Sequence, residues 1–178
     1  MPLIDYGHIH FGENKVQESI EKWAEFKIVN SKIKLHMIGK LQSNKVKQAV
    51  DLFDYIHSVD NLKLAEKISN ETLKKNKKIK IFIQVNIGNE KQKSGVKTEN
   101  LRDFFNECKK NLNLDIIGLM CIPPLSQSSE QFFKKMKSLS DELDLNELSM
   151  GMSQDYLNAT LNNASYVRIG SKIFGQRS

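Results

Sequence analysis

The chain has 178 residues and a net charge of +6, from 27 Lys and Arg against 21 Asp and Glu. This length fits a single domain, residues 1–178, with a hydrophobic core, and no apolar run of about eighteen residues predicts a membrane span. Nearly all basic residues are Lys, in runs such as residues 74–78 without clustered Arg or interleaved aromatics, so a solvated helix end is favoured over a nucleic-acid partner.

Short apolar strands alternate with amphipathic helices along the chain. In order, the predicted strands are residues 8–12, 34–38, 55–58, 79–87, 116–120, 147–150 and 166–169. Helices are predicted between them because apolar residues recur at spacings of three and four. The stripe on the helix before residue 147 is typical: it consists of Phe132, Phe133, Met136, Leu139 and Leu143. Shorter helices are predicted at residues 44–51 and 153–162.

The strand at residues 79–87 indicates how the sheet is covered. Ile79, Ile81, Ile83, Val85 and Ile87 alternate with Lys80, Phe82, Gln84 and Asn86. One face is therefore fully aliphatic and is expected to pack on helices. The other face is mixed and is expected to point into a barrel.

Strict alternation of strands and helices predicts an α/β fold with a parallel sheet and right-handed crossovers. Seven strands are counted, with no linker or repeat between them. A TIM-type (β/α)8 barrel has eight strands and more than about 200 residues. The sequence therefore predicts such a barrel with one strand and its helix missing.

The last thirty residues contain two strands that each end in a Gly and a hydroxyl residue. Gly151 is followed by Ser153, and Gly170 by Ser171. A Gly lets backbone N–H groups approach an anion closely, and a Ser that begins the next helix adds a donor at the positive end of the helix dipole. Loops after strands 7 and 8 are the usual phosphate site of a barrel, so the pair predicts a phosphate cup.

Eight motifs resemble those of a known family over essentially the whole chain. They are residues 11–14 (FGEN), 36–39 with 41–45 (HMIG, LQSNK), 57–60 (HSVD), 84–87 (QVNI), 93–95 (KSG), 118–120 (GLM), 149–153 (SMGMS) and 167–170 (VRIG). In this order they resemble the pyridoxal phosphate homeostasis proteins. That family shares the barrel of the alanine racemase amino-terminal domain.

The resemblance implies a site for pyridoxal 5'-phosphate (PLP). It makes Ser153, Gly170 and Ser171 the donors to the cofactor phosphate, and it places Arg168 opposite the pyridine nitrogen. An Arg there keeps the nitrogen unprotonated and weakens the ring as an electron sink, which suits holding the cofactor better than carbanion chemistry. The other residues expected at the cofactor are Asn14, His36 and Met152.

The family's Schiff-base lysine has no counterpart in this sequence. In the family it follows the first strand, upstream of the FGEN motif, whereas only ten residues precede Phe11 here and none is Lys. Lys40, Lys45 and Lys93 lie near strand ends, but none occupies the first-strand position. We therefore expect the chain either to begin at an internal Met of a longer gene or to be a truncated form that binds PLP non-covalently.

A missing first strand also predicts a consequence for folding. Its two neighbours in the barrel are expected to expose their backbone edges and part of the interior. We expect marginal stability, or dimerisation across the missing strand, although the family resemblance implies a monomer.

The leading functional hypothesis is a non-catalytic, cytoplasmic PLP carrier or homeostasis protein whose recipients include PLP-dependent apoenzymes. The alternative is an enzyme, either racemase-like or acting on a phosphorylated metabolite, and a third possibility is a fragment without a ligand. Alanine racemases carry a second domain with an opposing Tyr base, which is expected to be absent because the sequence ends at Ser178. Cys108 and Cys121 are expected to be reduced thiols of a cytosolic protein.

The four histidines leave two questions open. His8 and His10 share one strand face, but no Cys, Asp or Glu constellation completes a metal site, so none is predicted. For His36 and His57, at the ends of their strands, a role in a pocket and a structural role are equally consistent with the sequence.

Overall fold

The computed structural model describes residues 2–124 and 127–175. The strands in these residues are β1 (His10–Glu13), β2 (Lys34–Met37), β3 (Tyr55–Val59), β4 (Lys80–Asn86), β5 (Val96–Lys97), β6 (Asp115–Cys121), β7 (Glu147–Met152) and β8 (Tyr166–Arg168). The helices are α1 (Pro2–Asp5), α2 (Val16–Val29), α3 (Val46–Leu52), α4 (Leu62–Lys74), α5 (Leu101–Asn106), α6 (Ser129–Glu142), α7 (Tyr156–Leu161) and α8 (Ser171–Phe174).

All strand pairs are parallel and follow the order β1, β2, β3, β4, β6, β7, β8, with β5 added beside β4. The sheet curls far enough for His57 of β3 to hydrogen-bond Ser149 of β7 across the interior. Within residues 2–124 and 127–175, β1 and β8 have no strand partner on their outer edges. The predicted α/β barrel with one strand missing is therefore confirmed, as a nearly closed barrel of seven parallel strands with the short β5 added.

The outer face of the sheet forms the main hydrophobic core. Ile79, Ile81, Ile83, Val85 and Ile87 all lie in the cluster between the strands and the helices, as the alternation predicts. Phe82, on the opposite face of β4, instead packs in a second cluster inside the barrel, with Tyr55 and Met120. The barrel therefore has an aliphatic outer layer and an aromatic, polar interior.

Part of the Lys-rich run at residues 74–78 is not simply solvated, which corrects the sequence interpretation. The Lys75 amino group donates to the carbonyl of Lys47 at 3.1 Å, and that of Lys77 donates to the carbonyl of Val50 at 2.6 Å. Lys47 lies in the first turn of α3, whereas Val50 lies in its last turn, where the backbone carbonyls lack helical partners. Cations at that helix end satisfy them and complement the dipole.

Two boundaries near the predicted phosphate cup also differ from expectation. β7 continues to Met152, and α7 begins at Tyr156 rather than at Ser153. The carboxylate of Asp155 accepts the N–H of Met152 at 2.7 Å, while the N–H of Asp155 donates to the carbonyl of Met152 at 3.1 Å. These bonds close a turn over residues 153–155, so Ser153 lies before the helix. The two-residue strand β5 was not predicted, because so short an element leaves no periodic pattern.

Candidate functional site

The turn after β7 depends on a glycine. Gly151 has φ of +90°, and a Cβ placed on it would lie 2.5 Å from the Cβ of Ala159 in α7. Both the left-handed backbone and the close approach of the helix therefore require Gly. This packing fixes where Met152 and Ser153 emerge at the carboxyl end of β7.

The turn after β8 meets the turn after β7. The N–H of Gly170 donates to the hydroxyl of Ser153 at 3.3 Å. A Cβ added to Gly170 would have no atom within 4 Å, so the space above this turn is open. Ser171 is exposed and is the first residue of α8. The structure thus brings Ser153, Gly170 and Ser171 together at one end of the barrel.

Arg168 is the last residue of β8 and points into the barrel mouth beside these turns. Its Nη1 donates to the hydroxyl of Ser149 at 2.8 Å, and its Nη2 donates to the carbonyl of Cys121 at 2.8 Å. Among the described residues no carboxylate lies within ion-pair distance of the guanidinium. Burial lowers the pKa of Arg168. The result is a desolvated cation held only by neutral acceptors, which favours an acceptor or anion from a ligand.

Asn14 lies at the same end of the barrel, one residue beyond β1, and is exposed. A Cβ on Gly39, which follows β2, would lie 2.2 Å from the backbone oxygen of Asn14. Gly39 therefore allows the chain after β2 to pass directly against Asn14. This close contact holds Asn14 at the rim of the mouth.

His36 lies deeper than its predicted place at a strand end. It is only 4% exposed, and its ring stacks on Tyr55 with 4.0 Å between ring centroids. Its Nε2 lies 2.8 Å from Nδ1 of His10, and its Nδ1 lies 2.9 Å from Nε2 of His57. Both ring nitrogens of His36 therefore have hydrogen-bond partners within the protein. If His36 lines the cofactor site as predicted, it does so without a free ring nitrogen for the cofactor.

The sequence interpretation missed a continuous row of polar side chains inside the barrel. Nδ1 of His57 lies 2.8 Å from the hydroxyl of Ser149, which in turn accepts from Arg168. The row therefore runs from His10, the first residue of β1, to Arg168, the last residue of β8. The available signal was the alternation of strands: these residues lie on inward-facing positions, where an aliphatic side chain would be the default.

A cavity of about 320 Å³ opens beside the site, at the carboxyl ends of β2, β4 and β6. Its lining includes Lys40, Lys93, Met120 and Ile122, but not Ser153, Arg168, Gly170 or Ser171. The two regions meet at Cys121, which lies between two lining residues and whose carbonyl accepts from Arg168. Lys93 is ion-paired with Glu90 at 2.6 Å, and Lys40 is exposed.

Metal and membrane chemistry find no support in the part of the chain that the structure describes. Residues 2–124 and 127–175 contain no group of three or more His, Cys, Asp or Glu placed to hold a metal ion. His8 is exposed and packs its ring on Phe11, whereas His10 joins the interior row. The same residues contain no helix long and apolar enough to span a membrane.

Sequence comparisons agree with the architecture. The profile of the family described as alanine racemase, N-terminal domain, matches residues 2–178. A protein from Aquifex aeolicus named pyridoxal phosphate homeostasis protein is 39% identical over 176 residues, which cover 94% of this chain and 76% of the relative. The Escherichia coli K12 protein of the same name is 34% identical over 185 residues, covering 98% of this chain and 78% of the relative.

Solved structures lead to the same fold. PipY from Synechococcus elongatus, with PLP bound, superposes with a TM-score of 0.89 at 35% identity, over 98% of this chain and 85% of PipY. An alanine racemase from Clostridium difficile gives a TM-score of 0.74 over 99% of this chain and 47% of its own, at 15% identity. The second likeness concerns the fold alone.

Proposed function

Because this chain belongs to the alanine racemase N-terminal domain family, we propose that it binds PLP and acts in PLP homeostasis without catalysing a reaction. Relatives at 34–39% identity carry the name pyridoxal phosphate homeostasis protein. PipY, at 35% identity, has been solved with PLP bound. These likenesses support one PLP-binding unit spanning residues 1–178.

The observation that carries the proposal is the meeting of two turns beside a half-buried cation, Arg168. Gly170 donates to Ser153 at 3.3 Å, and the space above Gly170 is open. A phosphate there would accept from backbone N–H groups and from the hydroxyls of Ser153 and Ser171. Such groups are typical phosphate ligands of barrels after strands 7 and 8.

The remaining site residues would hold and orient the ring. PLP, when bound, supplies an electron-withdrawing pyridine ring and an aldehyde. Arg168 would face the ring nitrogen with a guanidinium that always donates and never accepts. Arg168 would therefore keep that nitrogen unprotonated, which would disfavour carbanion chemistry and suit storage. Asn14 and Met152 would line the ring at the rim.

We expect retention of PLP by this chain to be non-covalent. None of the ten residues that precede Phe11 in this sequence is a lysine. Lys93 is ion-paired with Glu90, and Lys40 is an exposed side chain at the cavity beside the site. The phosphate turns and Arg168 would then supply the affinity.

The test is to add PLP to the purified chain, remove the excess, record the absorption spectrum, reduce with borohydride and map labelled lysines by mass spectrometry. We expect retained PLP with free-aldehyde absorbance, no labelled Lys and no racemisation of amino acids. The double variant Ser153→Ala, Ser171→Ala should lose retention, while Ser138→Ala, at an exposed position in the C-terminal half of α6, is the matched control. Loss of PLP from the unaltered chain, or turnover of an amino acid, contradicts the proposal.

We further propose partners and a compartment. PLP-dependent apoenzymes are the recipients that a carrier of this cofactor implies. The open edges of β1 and β8 support pairing with a second copy of the chain, since unpaired strand edges are templates for association. Two buried free thiols, Cys108 and Cys121, support a reducing, cytoplasmic location. Sedimentation should find a dimer, and a monodisperse, highly stable monomer contradicts the pairing.

A further inference from the structure

The row of polar side chains inside the barrel connects its two ends. His10 lies at the amino ends of the strands and is half-buried, whereas His57 is 1% exposed and Ser149 is fully buried. Each buried ring is also packed by an aromatic: His36 stacks on Tyr55, and His57 stacks on Phe82 with 4.2 Å between ring centroids. The row is therefore fixed by packing as well as by hydrogen bonds.

Arg168 determines the direction of every hydrogen bond in the row. A guanidinium only donates, so the Ser149 hydroxyl accepts from it and has its own proton free to give. Within the described residues, that hydroxyl has only one other neighbour at hydrogen-bond distance, Nδ1 of His57. His57 therefore accepts at Nδ1, and as a neutral imidazole it carries its proton on Nε2.

The same logic passes along the remaining rings. Nε2–H of His57 donates to Nδ1 of His36, and Nε2–H of His36 donates to Nδ1 of His10. This assignment follows from the network and satisfies every polar atom between Arg168 and His10. The opposite polarity would leave the buried Ser149 proton without an acceptor, which is costly.

Electrostatics agree with neutral rings. Burial, and then the neighbouring His10, lowers the pKa of His36 to about 3. Burial holds the pKa of His57 well below its usual value, and His36 and Arg168 lower it further. Burial also lowers the pKa of His10; His8, Lys34 and Lys80 lower it further, and Asp54 raises it. Neutral imidazoles can each donate once and accept once, as the row requires.

We propose that Ser149, His57, His36 and His10 form a polarised hydrogen-bonded column that holds the guanidinium of Arg168 in its ligand-facing orientation. The four members are positioning residues, because they act through Arg168 and none of them needs to touch the ligand. This inference rests on the proposed function for its ligand, PLP, but the column itself is a property of the protein alone. Ser149 is its most sensitive member, because it is the direct acceptor of Arg168.

The first experiment measures the histidine tautomers and the hydrogen bonding of Arg168 in the absence of cofactor. Nitrogen-15 NMR of the unaltered chain should find His57 and His36 as neutral Nε2–H tautomers and resolved Nη signals for Arg168, since hydrogen-bonded guanidinium groups rotate slowly. Ser149→Ala should merge the Arg168 signals. Ser149→Thr, which keeps the hydroxyl, should restore them. An Nδ1–H tautomer at His57, or Arg168 signals that Ser149→Ala leaves unchanged, overturns the proposal.

PLP binding gives the second readout. Loss of a hydrogen bond to a charged group corresponds to roughly a 10- to 100-fold change in an equilibrium constant, so Ser149→Ala should weaken PLP binding by about 10-fold or more. Ser149→Thr should bind within about 3-fold of the unaltered chain, a change well below one hydrogen bond. His10→Leu breaks the column at its half-exposed end, with least risk to folding, and should release the His36 tautomer. His8→Leu, on the exposed side, is its control.

The two proposals fail in different ways. If the unaltered chain retains no PLP, the proposed function is wrong, and the tautomers and the Arg168 signals still decide the column. If PLP binds but Ser149→Ala binds it as tightly as the unaltered chain, the column does not position Arg168 and this inference is wrong.

Discussion

The two faces of the barrel sheet are built on different principles. The outer face packs aliphatic side chains such as Ile81, Ile83 and Val85 against helices, with Phe133 and Met136 of α6 among their partners in one cluster. The inner face instead carries aromatics and a column of polar groups in which each donor has one acceptor. Dispersion and hydrophobic burial depend on volume and are non-directional, whereas hydrogen bonds depend on atom type and angle.

This difference separates stability from ligand binding. Substitutions on the outer face are expected to change the free energy of unfolding in proportion to the volume lost, without reaching the site. Substitutions in the interior are expected to act on both, because the column ends on Arg168 at the mouth. The four predictions below test that separation.

The largest effect is expected from a cavity in the outer layer. Phe133 is fully buried between α6 and the sheet, so Phe133→Ala should lower the free energy of unfolding by about 3–5 kcal/mol. Urea denaturation measures the loss. In the absence of denaturant, where the variant stays folded, its affinity for PLP should equal that of the unaltered chain. If the Phe133→Ala variant is folded but binds PLP markedly more weakly, the outer face affects ligand binding as well as stability, and the separation is wrong.

The interior should make stability depend on pH. The folded chain keeps the pKa of His36 near 3, whereas an unfolded His titrates near 6.5. Below pH 6.5 the unfolded chain therefore binds a proton that the folded chain refuses, and stability is lost as the pH falls toward 3. The slope is about 1.4 kcal/mol per pH unit for each such histidine. Urea denaturation at pH 7.5, 6.0 and 5.0 measures it.

The control for this pH dependence compares a histidine inside the column with a histidine outside it. His36→Gln should flatten the slope, because it removes one group that cannot protonate when folded. His8→Gln changes an exposed ring outside the column and should leave the slope as it is. Equal slopes for the two variants would mean that the interior histidines are not kept neutral by the fold.

The difference between the two faces also explains how much of each can be predicted from the sequence. The alternation in β4 predicts which residues face the helices, and the Gly-hydroxyl pairs predict the place of Ser153 and Gly170, because both signals are local. The column is not local: Ser149 and His57 are 92 residues apart and meet only when the sheet curls. No periodicity in the sequence encodes that contact, so the sequence alone does not decide between a pocket role and a structural role for His57. Lys77 is likewise assigned to solvent until α3 packs beside it.

A smaller effect is expected when one member of the column is replaced by an aliphatic side chain. His57→Leu keeps an apolar group beside Phe82 but leaves the Ser149 hydroxyl proton without its acceptor and Nδ1 of His36 without its donor. Unpaired buried groups cost about 1–3 kcal/mol, and the free energy of unfolding should fall by that amount. PLP binding should weaken in the same variant. A loss of stability with unchanged PLP affinity would make His57 a structural residue only.

The smallest effect is expected from a volume-conserving exchange on the outer face. Ile81 is fully buried and belongs to the outer hydrophobic cluster. Ile81→Leu keeps the number of carbon atoms and changes only the branch point, so the free energy of unfolding should fall by less than about 1.5 kcal/mol. The comparison with His57→Leu is the informative one, because both variants place Leu on a central strand, one on each face. If the outward Leu disturbs PLP binding as much as the inward one, then packing rather than hydrogen-bond direction transmits changes to Arg168, and the two faces are not separate.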